Sequence, residues 1–255
     1  MDKTIIKYFF NQKNGSTVEE YEDAFSINEK ALTFAISDGA TEATFSKEWS
    51  SILVENFTSN PTDYVSVEWL QNSLKKFNDI ISTKNLPWHA ELKLSTQGAF
   101  ATLATLQIDI KSNTFCLSAI GDSCVFWLDN EGVHLFPYRS VEEFQNRPYL
   151  LCSLQHNNAE GIVNQRQVIE KLSKGRTLFF MATDALACWF VSEYINKKEP
   201  WVELLTISNQ DEFESFIKEL RTKMLIKNDD VTLIIIGYDN NCEVGNNGLS
   251  INEPI

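Results

Sequence analysis

The sequence predicts an α+β fold in which helices are layered on mainly antiparallel strands, and three observations predict it. Apolar residues recur at helical spacing in some segments and form short β-rich runs in others. Several of the β-rich runs follow one another across tight turns, as antiparallel neighbours do. No regular alternation of strand and helix marks a doubly wound parallel sheet. In chain order, residues 5–10 and 23–27 read as extended, with the turn-forming Asn14-Gly15 between them. An apolar strand over 32–37 stops at Asp38-Gly39 and so carries an aspartate at its end. Phe45, Trp49, Ile52, Leu53 and Phe57, and then Leu70, Leu74, Phe77 and Ile81, mark two amphipathic helices that pack on a sheet. Runs at 99–109, 114–120 and 124–128, joined by Lys111-Ser112-Asn113 and Gly121-Asp122-Ser123, read as an antiparallel meander. A strand at 176–182 ends at Thr183-Asp184, where Asp184 can cap a helix starting at Ala185. Phe213, Phe216, Ile217 and Leu220 mark a further helix, and 231–238 a final strand.

A chain of 255 residues, 43% of them hydrophobic, can bury one sizeable core without disulfides. No repeat and no long Pro/Gly/Ser linker divides it, so residues 1–240 are expected to form a single domain and 241–255 a mobile C-terminal tail. The five cysteines include no C-x-x-C pair and are odd in number, which argues against a zinc knuckle and a complete disulfide framework. With no stretch near the ~20 apolar residues of a membrane span and no signal-like cleavage site, the expected compartment is the cytoplasm. The 22 basic and 35 acidic residues give a net charge of -13, which repels nucleic acid and anionic membranes, so neither is an expected partner. An anionic substrate would need local positive charge, which bound divalent metal supplies.

Acidic residues stand where strands begin or end: Glu22-Asp23, Asp38-Gly39, Asp184, and Asp229-Asp230 before Val231. Hard cations such as magnesium and manganese take oxygen ligands, and a two-metal site needs carboxylates converging from several strand ends. Asp38 offers such a carboxylate, and Gly39 a backbone carbonyl beside it. Singly, Asp-Gly is a common turn and Asp184 a common cap. Their order is more specific. YEDAF, FAISDGATEA, QGAFATLATL, SAIGDSCVFWL, LFFMATDALACWF and NDDVTLIIIGY, in that succession from residue 21 to 238, resemble the metal-dependent type 2C protein phosphatases of bacterial type.

That resemblance implies a four-layer α-β-β-α sandwich with two mainly antiparallel sheets flanked by helices. It implies two manganese or magnesium ions, with a third in some members, and hydrolysis of phosphoserine or phosphothreonine in protein substrates by a water activated between the metals. Glu22 and Asp23 match the family's acidic pair, Asp38 its metal-bridging aspartate and Gly39 its carbonyl ligand. Asp184 and Asp229 match its later metal aspartates, and Asp122 the ligand of a third, weaker metal. Asp230 stands where many members have asparagine and is a further candidate ligand. The family's phosphate-gripping arginine falls on Val18, with Lys13 the nearest base; a lysine can supply charge but not a bidentate fork.

His89, His134 and His156 lack metal-ligand spacing, and Cys188 beside Trp189 and Phe190 reads as a small hydrophobe. Trp88, Trp189 and the loop 137–147 are candidates for shaping the approach to the site. Three readings remain open: a metal-dependent phosphatase, a catalytically weak phosphatase-like binding module in which Val18 in place of arginine impairs turnover, and an α+β domain with fortuitous Asp-Gly turns.

Overall fold

The computed structural model describes residues 4–41 and 43–240; the tail expected at 241–255 lies outside the described residues. In chain order the elements are β1 (Thr4–Asn11), β2 (Ala24–Asn28), β3 (Thr33–Ser37), α1 (Ser46–Ser59), α2 (Val67–Ser82) and α3 (Trp88–Gln97). They continue with β4 (Phe100–Ala101), β5 (Leu103–Asp109), β6 (Thr114–Ile120), β7 (Cys124–Asp129), β8 (Gly132–Phe136), β9 (Leu151–Cys152), α4 (Ala159–Val163) and β10 (Arg166–Lys171). The last are β11 (Arg176–Ala182), α5 (Asp184–Ile195), α6 (Pro200–Thr206), α7 (Gln210–Thr222) and β12 (Val231–Asp239).

Two antiparallel five-stranded sheets form, in the orders β1-β12-β11-β7-β8 and β10-β6-β5-β3-β2, with β4 and β9 pairing separately. Period-two alternation sorts their side chains into layers. On β11, Phe179 and Met181 face the inter-sheet core with Phe34, Ile36, Leu106, Leu117 and Ile234. Phe180 and Ala182 face the opposite way, toward Leu186, Phe190, Phe213 and Ile217 of α5 and α7. The outer face of the second sheet, through Ala35 and Leu103, meets Trp49, Leu53 and Phe57 of α1 and Leu70 and Phe77 of α2. The result is the expected four-layer α-β-β-α sandwich. Each of these fully buried large side chains is worth about 1.5–3 kcal/mol of transfer free energy, so the three apolar layers hold the sheet ends firmly in place.

The meander expectation needs correction. β5 and β6 do pair, Leu103 opposite Ile120, but β7 leaves that sheet and pairs with β11 and β8 in the other. Gly121-Asp122-Ser123 is therefore a crossover between sheets and not a hairpin turn. Its glycine has φ +104°, and a Cβ there would stand 2.6 Å from Thr102 Cγ2. The expected single strand 99–109 is interrupted at Thr102, whose amide donates to the Asp38 carbonyl at 2.9 Å. α3, β8 and β10 lie outside the sequence expectations. α3 buries only Leu94 and has no apolar stripe, and β10 is an exposed edge strand.

Candidate metal centre

In an antiparallel sandwich, the end of one strand lies beside the start of its neighbour. Accordingly the end of β3, the β6–β7 crossover, the end of β11 and the start of β12 meet at one rim. Asp38, Asp122 and Asp184 arrive from three of these positions, and each offers a carboxylate oxygen within 4.8 Å of the others. They line a cavity of about 740 Å3 together with Asp229, Lys227, Thr102, Phe144, Asn146 and Arg147.

Hydroxyl groups position the acids. The Asp38 amide donates to Thr102 Oγ1 at 2.8 Å, and that oxygen is 2.7 Å from Ser123 Oγ, so Thr102 ties the end of β3 to the crossover carrying Asp122. Thr232 on β12 donates to Asp23 Oδ2 at 2.8 Å and is itself bonded to the Tyr21 hydroxyl. The Thr232 amide donates to Thr183 Oγ1 at 2.9 Å, which joins β12 to the residue preceding Asp184. Asp184 is the first residue of α5 and Thr183 holds the cap position, one residue earlier than expected.

Gathering these charges in a partly dry site has a cost. Burial, followed by the charges of Asp23, Asp184 and Asp122, pushes the Asp38 carboxyl well above the usual carboxylate range. Burial also raises Asp23 strongly, against the opposing hydrogen bond from Thr232. Asp122 is pushed up to about 7, by burial first and by Asp184 next. Asp184 is raised by burial, with Lys227 pulling the other way.

The remaining candidates divide. Asp229 reaches the cavity, and its Oδ2 lies 3.0 Å from Lys227 Nζ. Asp230 accepts the Lys13 amide on Oδ1 and the Glu22 amide on Oδ2, each at 2.8 Å. Both of its oxygens are thus occupied in fastening the end of β1 to the entry of β2. The Glu22 side chain pairs with Lys13 at 3.3 Å. Lys13 also donates to Thr41 Oγ1 at 3.2 Å, so its ammonium is already engaged. Val18 is 52% exposed on a short 3-10 turn. Gly39 is required by close approach: a Cβ would meet the Glu22 carbonyl oxygen at 2.6 Å and that of Ser46 at 3.0 Å. Trp189 is buried in the α5 core, and neither it nor Trp88 lines the cavity; Phe144, Asn146 and Arg147 do. Cys188 is half-buried rather than buried.

The donor set suits a hard divalent cation. It is all oxygen and strongly anionic, and Asp23 Oδ1 and Asp184 Oδ1 are buried with no hydrogen-bond partner, a costly state that a cation would relieve. Sequence reasoning missed the supporting residues Thr102, Thr183 and Thr232, and also Lys227, whereas Arg147 lies in the loop 137–147 expected to shape the approach. A hydroxyl residue directly before Asp184 and another two after Asp230 were the available signal. Lys227 offered none, because lysine beside an acidic pair ordinarily reads as a surface charge.

The family profile described as Protein phosphatase 2C matches residues 14–228, ending one residue before Asp229. No curated protein sequence matches the chain significantly. Among solved structures, the Mycobacterium tuberculosis serine/threonine phosphatase PstP/Ppp superposes with a TM-score of 0.60 at 15% identity, covering 93% of this chain and 99% of that one. PppA of Pseudomonas aeruginosa, a regulatory component of a secretion system, gives 0.59 at 16% identity, covering 92% and 97%. The catalytic domain of PstP in complex with two manganese ions gives 0.56 at 17% identity, covering 93% and 100%. At these identities the superpositions speak for the fold.

Proposed function

The chain belongs to the protein phosphatase 2C family, and from that premise we propose that it hydrolyses phosphoserine and phosphothreonine in protein substrates using two divalent cations, manganese or magnesium. Asp38, Asp184 and Asp229, with Asp23 and the Gly39 carbonyl, would hold the pair, and Asp122 with Asp184 a third, weaker ion. Glu22 and Asp230 act behind them as framework, since their carboxylates already serve Lys13 and two backbone amides. The observation that carries this reading is the convergence of Asp38, Asp122 and Asp184 within 4.8 Å in the lining of the cavity.

Bound divalent cations supply Lewis acidity, lowering the pKa of water toward neutrality and offsetting charge on the phosphoryl oxygens. The chain's own residues do the rest. Thr102 and Thr232 hold Asp38 and Asp23 in place. Phe144 and the cationic Arg147 line the same cavity as the acids. Arg147 has no ion-pair partner among the described residues, so it is free to grip an incoming phosphate where Lys13 is not. The reading of a weak binding module draws support from exposed Val18 and the engaged Lys13, and turnover decides between the two.

A single domain over 1–240 and a cytoplasmic setting belong to the same proposal. The four cysteines among the described residues are free, which suits a reducing compartment, and no described helix is long and apolar enough to cross a membrane. The test is hydrolysis of an aryl phosphate and of phosphothreonine peptides with manganese, with magnesium and with chelator. Metal should support turnover, chelator abolish it, and vanadate leave it largely intact. Turnover that survives exhaustive chelation would refute the assignment, and phosphopeptide binding without turnover would favour the binding module.

A further inference from the structure

We infer that Lys227 is a built-in counter-ion of the carboxylate cluster, which a divalent cation must displace in order to bind between Asp184 and Asp229. The inference rests on the reading of those two aspartates as metal ligands. Lys227 Nζ is ion-paired with Asp184 Oδ2 and stands 3.0 Å from Asp229 Oδ2. One ammonium therefore sits between two carboxylates that arrive from different elements, the start of α5 and the loop before β12.

The backbone around it is fixed. Ile226 is in the core, the Asp229 carbonyl accepts Arg221 Nη2 at 2.6 Å, and Asp230 clamps the amides of Lys13 and Glu22. The side chain, in contrast, is 53% exposed, so it can swing to solvent about its own stem without moving the loop. While it stays, it offsets one of the two negative charges that would attract a cation, and it covers Asp184 Oδ2 while Oδ1 of the same carboxylate stays unpartnered. Cation loading at this position is thus an exchange of charges. The lysine keeps the metal-free cluster tolerable and weakens metal affinity in return.

The test uses the full chain, titrated with manganese by calorimetry and melted with and without it, as parent, Lys227→Gln and Lys227→Arg. Lys227→Gln should bind manganese at the position shared by Asp184 and Asp229 about tenfold more tightly, about 1.4 kcal/mol. It should also melt lower than the parent without metal and show a larger manganese-induced rise. Lys227→Arg keeps the charge and should stay near the parent affinity, and it remains informative if the glutamine variant folds poorly. Equal or weaker manganese binding by Lys227→Gln, or tighter binding by Lys227→Arg, overturns the inference. If the parent binds manganese and Asp38→Asn does not, the functional reading stands even when the lysine variants match the parent. If no variant binds manganese, the ligand assignment falls and this inference falls with it.

Discussion

Asp38 is the residue on which the site turns, because the charges of Asp23, Asp184, Asp122 and Asp229 all act on it and its amide is locked by Thr102. Asp38→Asn should abolish turnover. It should also remove most of the manganese-induced stabilisation, which for a site at ~100 times its dissociation constant is about 2.7 kcal/mol. Without metal, the variant should melt at or above the parent, since one repelling carboxylate is gone; a lower metal-free melting temperature would mean that repulsion is not what the cluster suffers. Two basic residues near the cavity separate by their partners. Arg147→Ala should raise KM several-fold with kcat little changed, the mark of lost uniform binding. Lys13→Ala should leave KM near the parent value and lower stability, because its ammonium already serves Glu22 and Thr41 in a partly buried pair. Initial-rate kinetics on a phosphothreonine peptide would check both, and the reverse order would return the phosphate to Lys13.

Among the elements, legibility followed burial pattern. The β-rich runs at 114–120 and 176–182 coincide with β6 and β11, where alternation between two apolar layers leaves a clear period. α1, α2 and α7 were readable from Trp49, Leu53, Phe57, Leu70, Phe77, Phe213 and Ile217, the residues that face the sheets. α3 and β10 were not, because each contributes almost nothing to the core and so leaves no clear hydrophobic period. The change of sheet at 121–123 was invisible for a different reason. A glycine-centred turn between two strands looks the same whether the second strand pairs with the first or crosses to another sheet. Gly121 distinguishes the cases physically, since its φ of +104° and its 2.6 Å approach to Thr102 bind the crossover to the residue that holds Asp38. Gly121→Ala should therefore destabilise the fold by about 1–3 kcal/mol and also weaken manganese binding, because displacing Thr102 displaces Asp38. Melting and manganese titration of this variant would check the coupling. Lost stability with unchanged metal affinity would show that Thr102 does not position Asp38.

On the scale of the whole molecule, the order of acidic motifs along the chain foreshadowed the site, while the compensations inside it, the threonine hydroxyls and Lys227, emerged only when distant strand ends came together. The same gathering makes metal-free stability depend on pH. Asp122 titrates near 7 in the folded protein, above an ordinary aspartate near 3.9, and Asp23, Asp38 and Asp184 are shifted upward as well. A carboxyl whose folded pKa is raised holds its proton more tightly in the native state. Its contribution is fully present below the unfolded pKa and is lost as pH rises through the folded one. For Asp122 that window runs from about 4 to about 7, with a slope of up to about 1.4 kcal/mol per pH unit. In chelator, the protein should therefore melt higher at pH 5.5 than at pH 7.5. Manganese reverses the dependence, because ligands must shed their protons to bind it, so the stabilisation it confers should grow across the same interval. Asp122→Asn should flatten the chelator curve. A metal-free melting temperature that rises from pH 5.5 to 7.5 would show that these carboxylates are ionised and already compensated in the native protein, and that the cluster does not need a cation to settle its charge.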